Sequence, residues 1–585
     1  MTNYININTV NVSPIFTSLK KGDKNVSQPI ASTELSPSQA SELPKVSGSL
    51  LEAYMVRKNS QIAASDIRTQ NVEWHNDLKT LFSNNQAKIL AIIPRTFAAS
   101  DAVNADGLIQ MNLGEKTGKF TSAIEKLDEV KDMGINVIHV LPIHSIGVKN
   151  AMGTAGSLYA PSNLLEIDPQ LDDKNDSRTV EEEFKSFVDE CHKRNIRVML
   201  DLPSCASFDY YMRNPELMAK ERSGVAKTPQ GWGDIRMFEP WEDNDKKILN
   251  KNLLELHKQY VDKYMALGID GIRADVSRAK PPEFWDILIS YSRSKNPEFG
   301  WLAETYTYED ASPQLNMIED RPMDALNSGF DCFYGQYHIF NEWNKASDII
   351  NYAKENIEMS HNLPKGKTAI GSFATHDDLS PMFHGGVNYV NLTTGLQATL
   401  PMLNPYFVDG VQSGDYYLYP YENAESTETR TDTSKCQVHR GKLDIFNLSR
   451  RPGGVNPEIG DFIKSAMSFR DKYVDIIGKG SFIPLENDNN SDKIISFARH
   501  YNGKTILVVA NRDVNKSQSA KIKIPGLKAN EKLENLVAPY GEKSFIQSEK
   551  NILKVDLAPA RIHIFEIDTP EIEHCGLKVY RQNLS

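Results

Sequence analysis

Residues 253–276 read LLELHKQYVDKYMALGIDGIRADV, and the two halves of this stretch follow different periods. Leu253, Leu256, Tyr260, Val261, Tyr264 and Met265 recur at helical spacing. Gly268 is the residue type that ends helices, and the apolar run after it is short and bounded as a buried strand would be. The stretch predicts a helix, a glycine cap and a strand at 269–276. On that strand Arg273 and Asp275, two positions apart, point to the same face.

The same unit recurs on both sides. ILAIIPRTF predicts a strand at 89–97. Ile124, Leu127, Val130 and Met133 mark a helix that ends at Gly134 before the strand INVIHVLPI at 135–143. Val180, Phe184, Phe187, Val188 and Cys191 mark the next helix, and IRVMLDL at 196–202 is its strand. A helix around FWDILISYSR and strands at 300–305, 328–335, 368–377 and 402–410 complete the series. Parallel strands need helical crossovers and a closed sheet has no edges, so the fold class expected is α/β, a (β/α)8 TIM barrel with inserted loops. An open doubly wound sheet is the alternative, but no GxGxxG or GxxxxGK loop follows any of these strands.

Around the barrel, at 88–478, the other segments differ in character. Residues 1–48 are rich in Ser, Asn, Thr, Pro and Lys without a sustained period, and disorder is expected there. Residues 49–87 form a helical extension expected to pack on the barrel. At 479–568 the period drops to two in KIISFARHY, TILVVANRD, AKIKI, ILKVDL and ARIHIFEI, which predicts a small C-terminal antiparallel β-sandwich domain. Residues 569–585 read as a tail.

The 585 residues carry a formal net charge of -11 and are 40% hydrophobic. That balance offers no basic footprint for nucleic acid or an anionic membrane. Five cysteines, odd in number and without CxxC spacing, suggest neither a disulfide framework nor a zinc cluster. The amino terminus lacks a basic segment followed by an apolar run. A cytoplasmic protein is expected, with a neutral polar substrate, no nucleic acid or membrane partner, no cofactor, and an oligomeric state left open.

In a barrel the chemistry sits at the carboxyl ends of the strands. Those positions hold Asp201, Arg273 with Asp275, Glu304, and His376 with Asp377. Each alone has an ordinary reading as a cap, a brace or an ion pair. Together they form a cluster that a core would not hold without partners or a task. A metal site is the rival reading, weakened by the arginine among the carboxylates. Two carboxylates with a fixed cation beside a neutral polyol suit retaining glycoside transfer, in which one carboxylate attacks and the other protonates the leaving oxygen. The arginine is expected to lower the attacker's pKa and to orient it.

These residues resemble the α-amylase family, glycoside hydrolase family 13, over about residues 88–570. The family's ordered strand-end motifs are matched by LDLPSCAS, GIRADVSR, WLAETYT and FATHDD, with GSLYAPSNLLEIDP and LPMLNPYFVDG as further likenesses. The resemblance implies Asp275 as nucleophile, Glu304 as general acid/base and Asp377 as the carboxylate that steadies the sugar. It implies Arg273, His376 and Tyr159 as substrate-binding residues and Asp201 as a mainly structural one. His139 and His144 stay unassigned. Cys205 and Ala206 stand where the family usually has Asn-His, so no family-type calcium site is expected. After the nucleophile, Lys280-Pro281 and Phe284-Trp285 resemble the branch of maltosyltransferases that extend glucans from maltose phosphate, but Arg278 stands where that branch tends to have histidine. Lys280 is either an acceptor or phosphate contact or a solvated lysine at a helix start. The implied function is a retaining α-glycosidase or α-glucan transglycosylase acting on an α-glucan or maltooligosaccharide. A degenerate glycan-binding barrel is the reading from a different class.

Overall fold

The computed structural model describes residues 76–99, 117–151, 156–229, 233–306, 322–335, 344–371, 373, 375–377, 380–415, 455–537 and 545–583. The chain divides into two units, Met1–Ser47 and Gly48–Ser585, and every described residue belongs to the second. The expected disordered segment 1–48, and the extension up to residue 75, lie outside the described residues.

The barrel strands are β1 (Ile89–Ile92), β2 (Val137–Val140), β3 (Arg197–Leu202), β4 (Gly271–Ala274), β5 (Gly300–Tyr306), β6 (Cys332–Gly335), β7 (Thr368–Ile370) and β8. Strand β8 is broken into Leu403–Asn404 and Tyr406–Val408 by Pro405. Each strand pairs in parallel with the next. The second half of β8 pairs with β1, which closes the barrel. The closure leaves no free edge in this sheet.

All but one of the expected barrel strands are shorter than the apolar runs that suggested them, and in three the cause or the consequence bears on the site. The run 89–97 leaves strand geometry after Ile92, because Pro94 opens a short helix, Pro94–Phe97. The run 368–377 is paired only over Thr368–Ile370, so His376 and Asp377 lie in the loop beyond. The run 402–410 bends where proline lacks the N–H that would continue its ladder.

Alternation along the strands feeds two cores. Ile89, Ala91, Val137, Met199, Leu302, Cys332, Tyr334, Ile370 and Tyr406 fill the barrel interior. Leu90, Ile138, Val198, Leu200, Ile272 and Ala303 face the surrounding helices. The helix Leu78–Ser83 plugs the barrel interior with Leu78, Leu81 and Phe82. A Cβ on Gly271 would meet Leu78 Cδ2 at 2.6 Å and Gly300 O at 2.5 Å, so that glycine is what admits the plug.

The C-terminal strands form a four-stranded antiparallel sheet (Ser481–Pro484, Ile494–Tyr501, Lys504–Asn511, Ile562–Ile567) and a pair, Gln518–Lys523 with Ile552–Leu557, with a further short ladder of Lys532–Glu534 and Phe545–Gln547. The four-stranded sheet is buried on both faces, rather than apolar on one as a period of two implies. Ile483, Ala498, Leu507 and Val509 pack toward the pair, while Phe482, Phe497, Ile506 and Val508 join the core of the barrel helices. Arg499 bolts the two together. Its side chain is fully buried and donates to the carbonyls of Thr399, Ile476, Ile477, Gly480 and Ser481. Several of these are the unsatisfied carbonyls of helix C-termini, where a cation is favoured. The expected tail is docked, with Tyr580 bridging to Phe482 and Asn583 bonding Ser360 and Leu363.

Candidate active site

Period two and strand register assemble the site. Gly271 and Arg273 on β4 face inward, and Asp275 follows on the same side. Register sets Asp201 of β3 directly beside Arg273 and Ala274 beside Ala303. Glu304, one residue past Ala303, is thereby brought next to Asp275. Tyr334 of β6 follows Phe333, the partner of Ala303, and completes the ring.

Arg273 is fully buried at the centre. Its Nη1 donates to both oxygens of Asp201 at 2.9 Å and to Asp275 Oδ1 at 3.1 Å. Nη2 lies 2.7 Å from Glu304 Oε2, close enough for an ion pair though not aligned as a hydrogen bond. Nε donates to Tyr334 Oη at 3.1 Å. Asp275 and Glu304 thus sit on two arms of one guanidinium. Their separation is well inside roughly 10 Å, the outer limit even for an inverting pair.

Each carboxylate is also held by backbone. Ser204 N–H donates to Asp275 Oδ2 at 3.0 Å, and Val276 N–H donates to Glu304 Oε2 at 2.7 Å. Val276 makes its bond from a left-handed conformation, φ 34° and ψ 64°, which a β-branched residue adopts only under constraint. Ser277 Oγ, donating to Glu304 O at 2.9 Å, and Trp285 Nε1, donating to Ser277 O at 2.8 Å, fix that turn.

Tyr159 Oη donates to Asp201 Oδ2 at 3.0 Å and lies 3.0 Å from His376 Nε2. Its ring stacks on the His376 ring, with centroids 5.8 Å apart. His376 Nε2 is 3.4 Å from Asp377 Oδ2. Burial pushes His376 below its ordinary pKa, against the pull of Asp377, so it is neutral and suited to hydrogen bonding rather than to charge pairing. His139 stands 3.3 Å from Asp201 Oδ2 and 2.9 Å from Tyr406 Oη. His144 bonds Tyr260 and Tyr264 instead and is pushed down to about 3, chiefly by burial.

The electrostatics depart from expectation at Asp275. Burial raises its pKa well above the usual carboxylate range; Arg273 opposes this, while Glu304 and Asp201 add to it. One guanidinium is shared by three carboxylates, and Asp201 takes the larger share. At Asp201 burial alone would raise the pKa, but Arg273 and then His139 outweigh it and hold the group low. The arginine orients Asp275 without being its private counter-ion.

All eight residues singled out from the sequence are described, and Asp201, Arg273, Asp275, Glu304, Tyr159, His376 and Asp377 converge. Lys280 is buried, at 2% exposure, rather than solvated. Ser204, Val276 and Tyr334 were not singled out. Tyr334 carried a signal, its place near the end of a predicted strand, whereas the backbone roles of Ser204 and Val276 have no signature in residue type. Cys205 and Ala206 lie on a short strand, Cys205–Ser207, paired with Ile235–Met237. Cys205 packs in an apolar cluster with Ala160, Ala219, Ile235 and Met237, which is no environment for a hard cation.

A closed parallel barrel with carboxylates converging on a buried arginine at the strand ends defines the class of this domain. Residues 91–282 match the family model of the alpha amylase catalytic domain. The chain is 26% identical over 426 residues to an alpha-1,4-glucan:maltose-1-phosphate maltosyltransferase of Picrophilus torridus, covering 70% of this chain and 61% of that protein. It is 24% identical over 476 residues to the enzyme of the same name from Corynebacterium glutamicum, covering 78% and 65%. The chain therefore spans less than two thirds of the length of these curated relatives. In fold it resembles the maltogenic alpha-amylase AmyB of Thermotoga neapolitana (TM-score 0.59, 20% identity, 83% of this chain and 99% of that one). It likewise resembles an alpha-amylase of Lactobacillus plantarum (TM-score 0.60, 18% identity, 83% and 99%).

Proposed function

We propose that this protein is a retaining enzyme that hydrolyses or transglycosylates α-linked glucose oligo- or polysaccharides. The observation that carries the reading is the placement of Asp275 and Glu304 on one buried guanidinium, with Asp377 and His376 reaching the same site through Tyr159. Asp275 attacks the anomeric carbon while Glu304 gives its proton to the leaving oxygen, forming a glycosyl ester on Asp275. Glu304, now a carboxylate, takes the proton from the incoming water or sugar hydroxyl as that oxygen displaces Asp275. Arg273 stabilises negative charge on both carboxylates, and Asp377, His376 and Tyr159 hold the sugar.

A second reading, maltosyl transfer from a phosphorylated donor, is supported by the names of the relatives and by the match at Lys280-Pro281 and Phe284-Trp285. Cytoplasmic residence is supported by the four described cysteines, Cys191, Cys205, Cys332 and Cys575, all free thiols. Among the described residues no helix is long and apolar enough to cross a membrane.

The test is incubation with maltooligosaccharides, with and without maltose 1-phosphate, followed by product analysis for the wild type and Asp275→Asn. Longer chains formed only with the phosphate ester identify maltosyl transfer. Redistribution of chain lengths without it identifies transglycosylation, and glucose or maltose identifies hydrolysis. Asp275→Asn should lose on the order of 10⁴-fold in kcat or more, as for removal of a covalent nucleophile. Binding of α-glucans without turnover of any kind would refute the enzymatic reading and leave the glycan-binding barrel.

A further inference from the structure

Lys280 has no part in the scheme above, yet its burial demands an explanation. Its ammonium sits 5.6 Å from the ring centroids of both Phe238 and Trp285. Its hydrogen bond, a long one at 3.5 Å, goes to Ser204 O. It makes no ion pair among the described residues, and Asp275 acts on it only at longer range. Taking an ammonium out of water costs several kcal/mol, so a buried lysine without a paired carboxylate is retained for something other than stability.

What the ammonium reaches is the residue that holds the nucleophile. Ser204 is engaged three ways: its N–H donates to Asp275 Oδ2 at 3.0 Å, its hydroxyl donates to the Asp275 carbonyl, and its own carbonyl accepts from Lys280. Meanwhile Asp201, Asp275 and Glu304 share the single cation Arg273. A second cation near Asp275 offsets part of that excess negative charge.

We propose that Lys280 is a positioning residue for Asp275: its ammonium fixes Ser204 so that the Ser204 N–H stays on Asp275 Oδ2, and its charge supplements the overcommitted Arg273. The proposal rests on the reading of Asp275 as nucleophile. Three titratable groups face the ammonium: Asp275 at the end of β4, Cys205 on its short strand, and His257 on the helix Lys251–Ala266. Burial, with Asp275 adding to it, pushes the Cys205 thiol up to about 12. Burial and Lys280 push His257 well below its usual value. Both are uncharged near neutrality, which leaves Asp275 as the counter-charge. Burial brings Lys280 itself down to about 8, with Cys205 and Asp275 resisting. The cation is therefore present below that pH and lost above it.

The experiment measures kcat and KM on maltooligosaccharide from pH 6 to about pH 10 for the wild type, Lys280→Met and Lys280→Gln, alongside unfolding free energy over the same range. The wild type should lose activity above about pH 8, roughly tenfold per unit. Both variants should fall about 100-fold in kcat at neutral pH, the scale of a misplaced reacting group, with KM changed less than about threefold, and the ratio of wild-type to variant kcat, from which the limb set by Glu304 as general acid cancels, should fall above about pH 8. Wild-type kcat in either variant, or a ratio that stays flat through about pH 9.5, would each overturn the proposal.

The unfolding arm needs no turnover. An unfolded lysine keeps its proton to about pH 10.4 while the folded one releases it near 8, so the stability of the wild type relative to Lys280→Gln should rise with pH between those values. A flat difference would overturn the proposal. Absence of turnover in the wild type, with the rise present, would instead refute the proposed function and retain the buried cation.

Discussion

Asp201→Asn separates the anchor of the site from its chemistry. Asp201 is fully buried and accepts two hydrogen bonds from Arg273 Nη1 and one from Tyr159. Asparagine keeps the shape but replaces one acceptor oxygen with an N–H₂ that must face donors, and it leaves Arg273 without its strongest counter-charge. Breaking a buried pair from one side costs about 3–5 kcal/mol. Since the amide retains one acceptor, the lower end, about 3 kcal/mol, applies. At about 2 °C per kcal/mol for a large domain, that is a fall of about 6 °C in Tm. Asp201 is also one of the groups that raise Asp275, after burial and Glu304. Its loss lowers the pKa of Asp275, so the acid limb of kcat/KM should move to lower pH. Calorimetry and a pH profile check the two effects. A Tm within about 1 °C of wild type and an unmoved acid limb would together refute the claim that Asp201 holds Arg273 and competes for its charge.

Two further predictions concern backbone and packing. Val276→Gly should be more stable than Val276→Ala by about 1 kcal/mol, the reverse of the usual order, because only glycine adopts φ 34° without penalty; chemical denaturation of the pair tests this, and alanine proving the more stable would contradict the strained turn. Arg499→Met removes donors from five carbonyls between the barrel and the C-terminal sheet, and should cost about 3–5 kcal/mol and split the thermal transition in two as the sheet loses its bolt. A single transition at the wild-type Tm would refute that role.

Much of the architecture is legible in sequence because it rests on local periods. The helix at 253–265 followed by a strand through Arg273 and Asp275 can be read from residue spacing, and repetition of that unit implies a closed parallel sheet. Where an element depends on a distant partner, the reading fails. The double burial of the C-terminal sheet cannot be seen in Ile506 or Val508 alone, because it arises from barrel helices that cover the outer face. The tail looks dispensable until Tyr580 meets Phe482.

By itself the sequence determined which residue types end each strand, and so which groups are available to the site: Asp201, Arg273, Asp275, Glu304, His376 and Asp377. Only the tertiary structure decided how they share charge. A strand's period says which side chains point inward, whereas register between strands says which inward group stands beside which. Register placed Asp201 level with Arg273, so that the cation two residues from Asp275 was largely committed elsewhere. It also set Ser204, with Lys280 behind it, against the carboxylate. Coulombic and hydrogen-bond energies depend on distances across strands, and those distances appear only when the barrel closes.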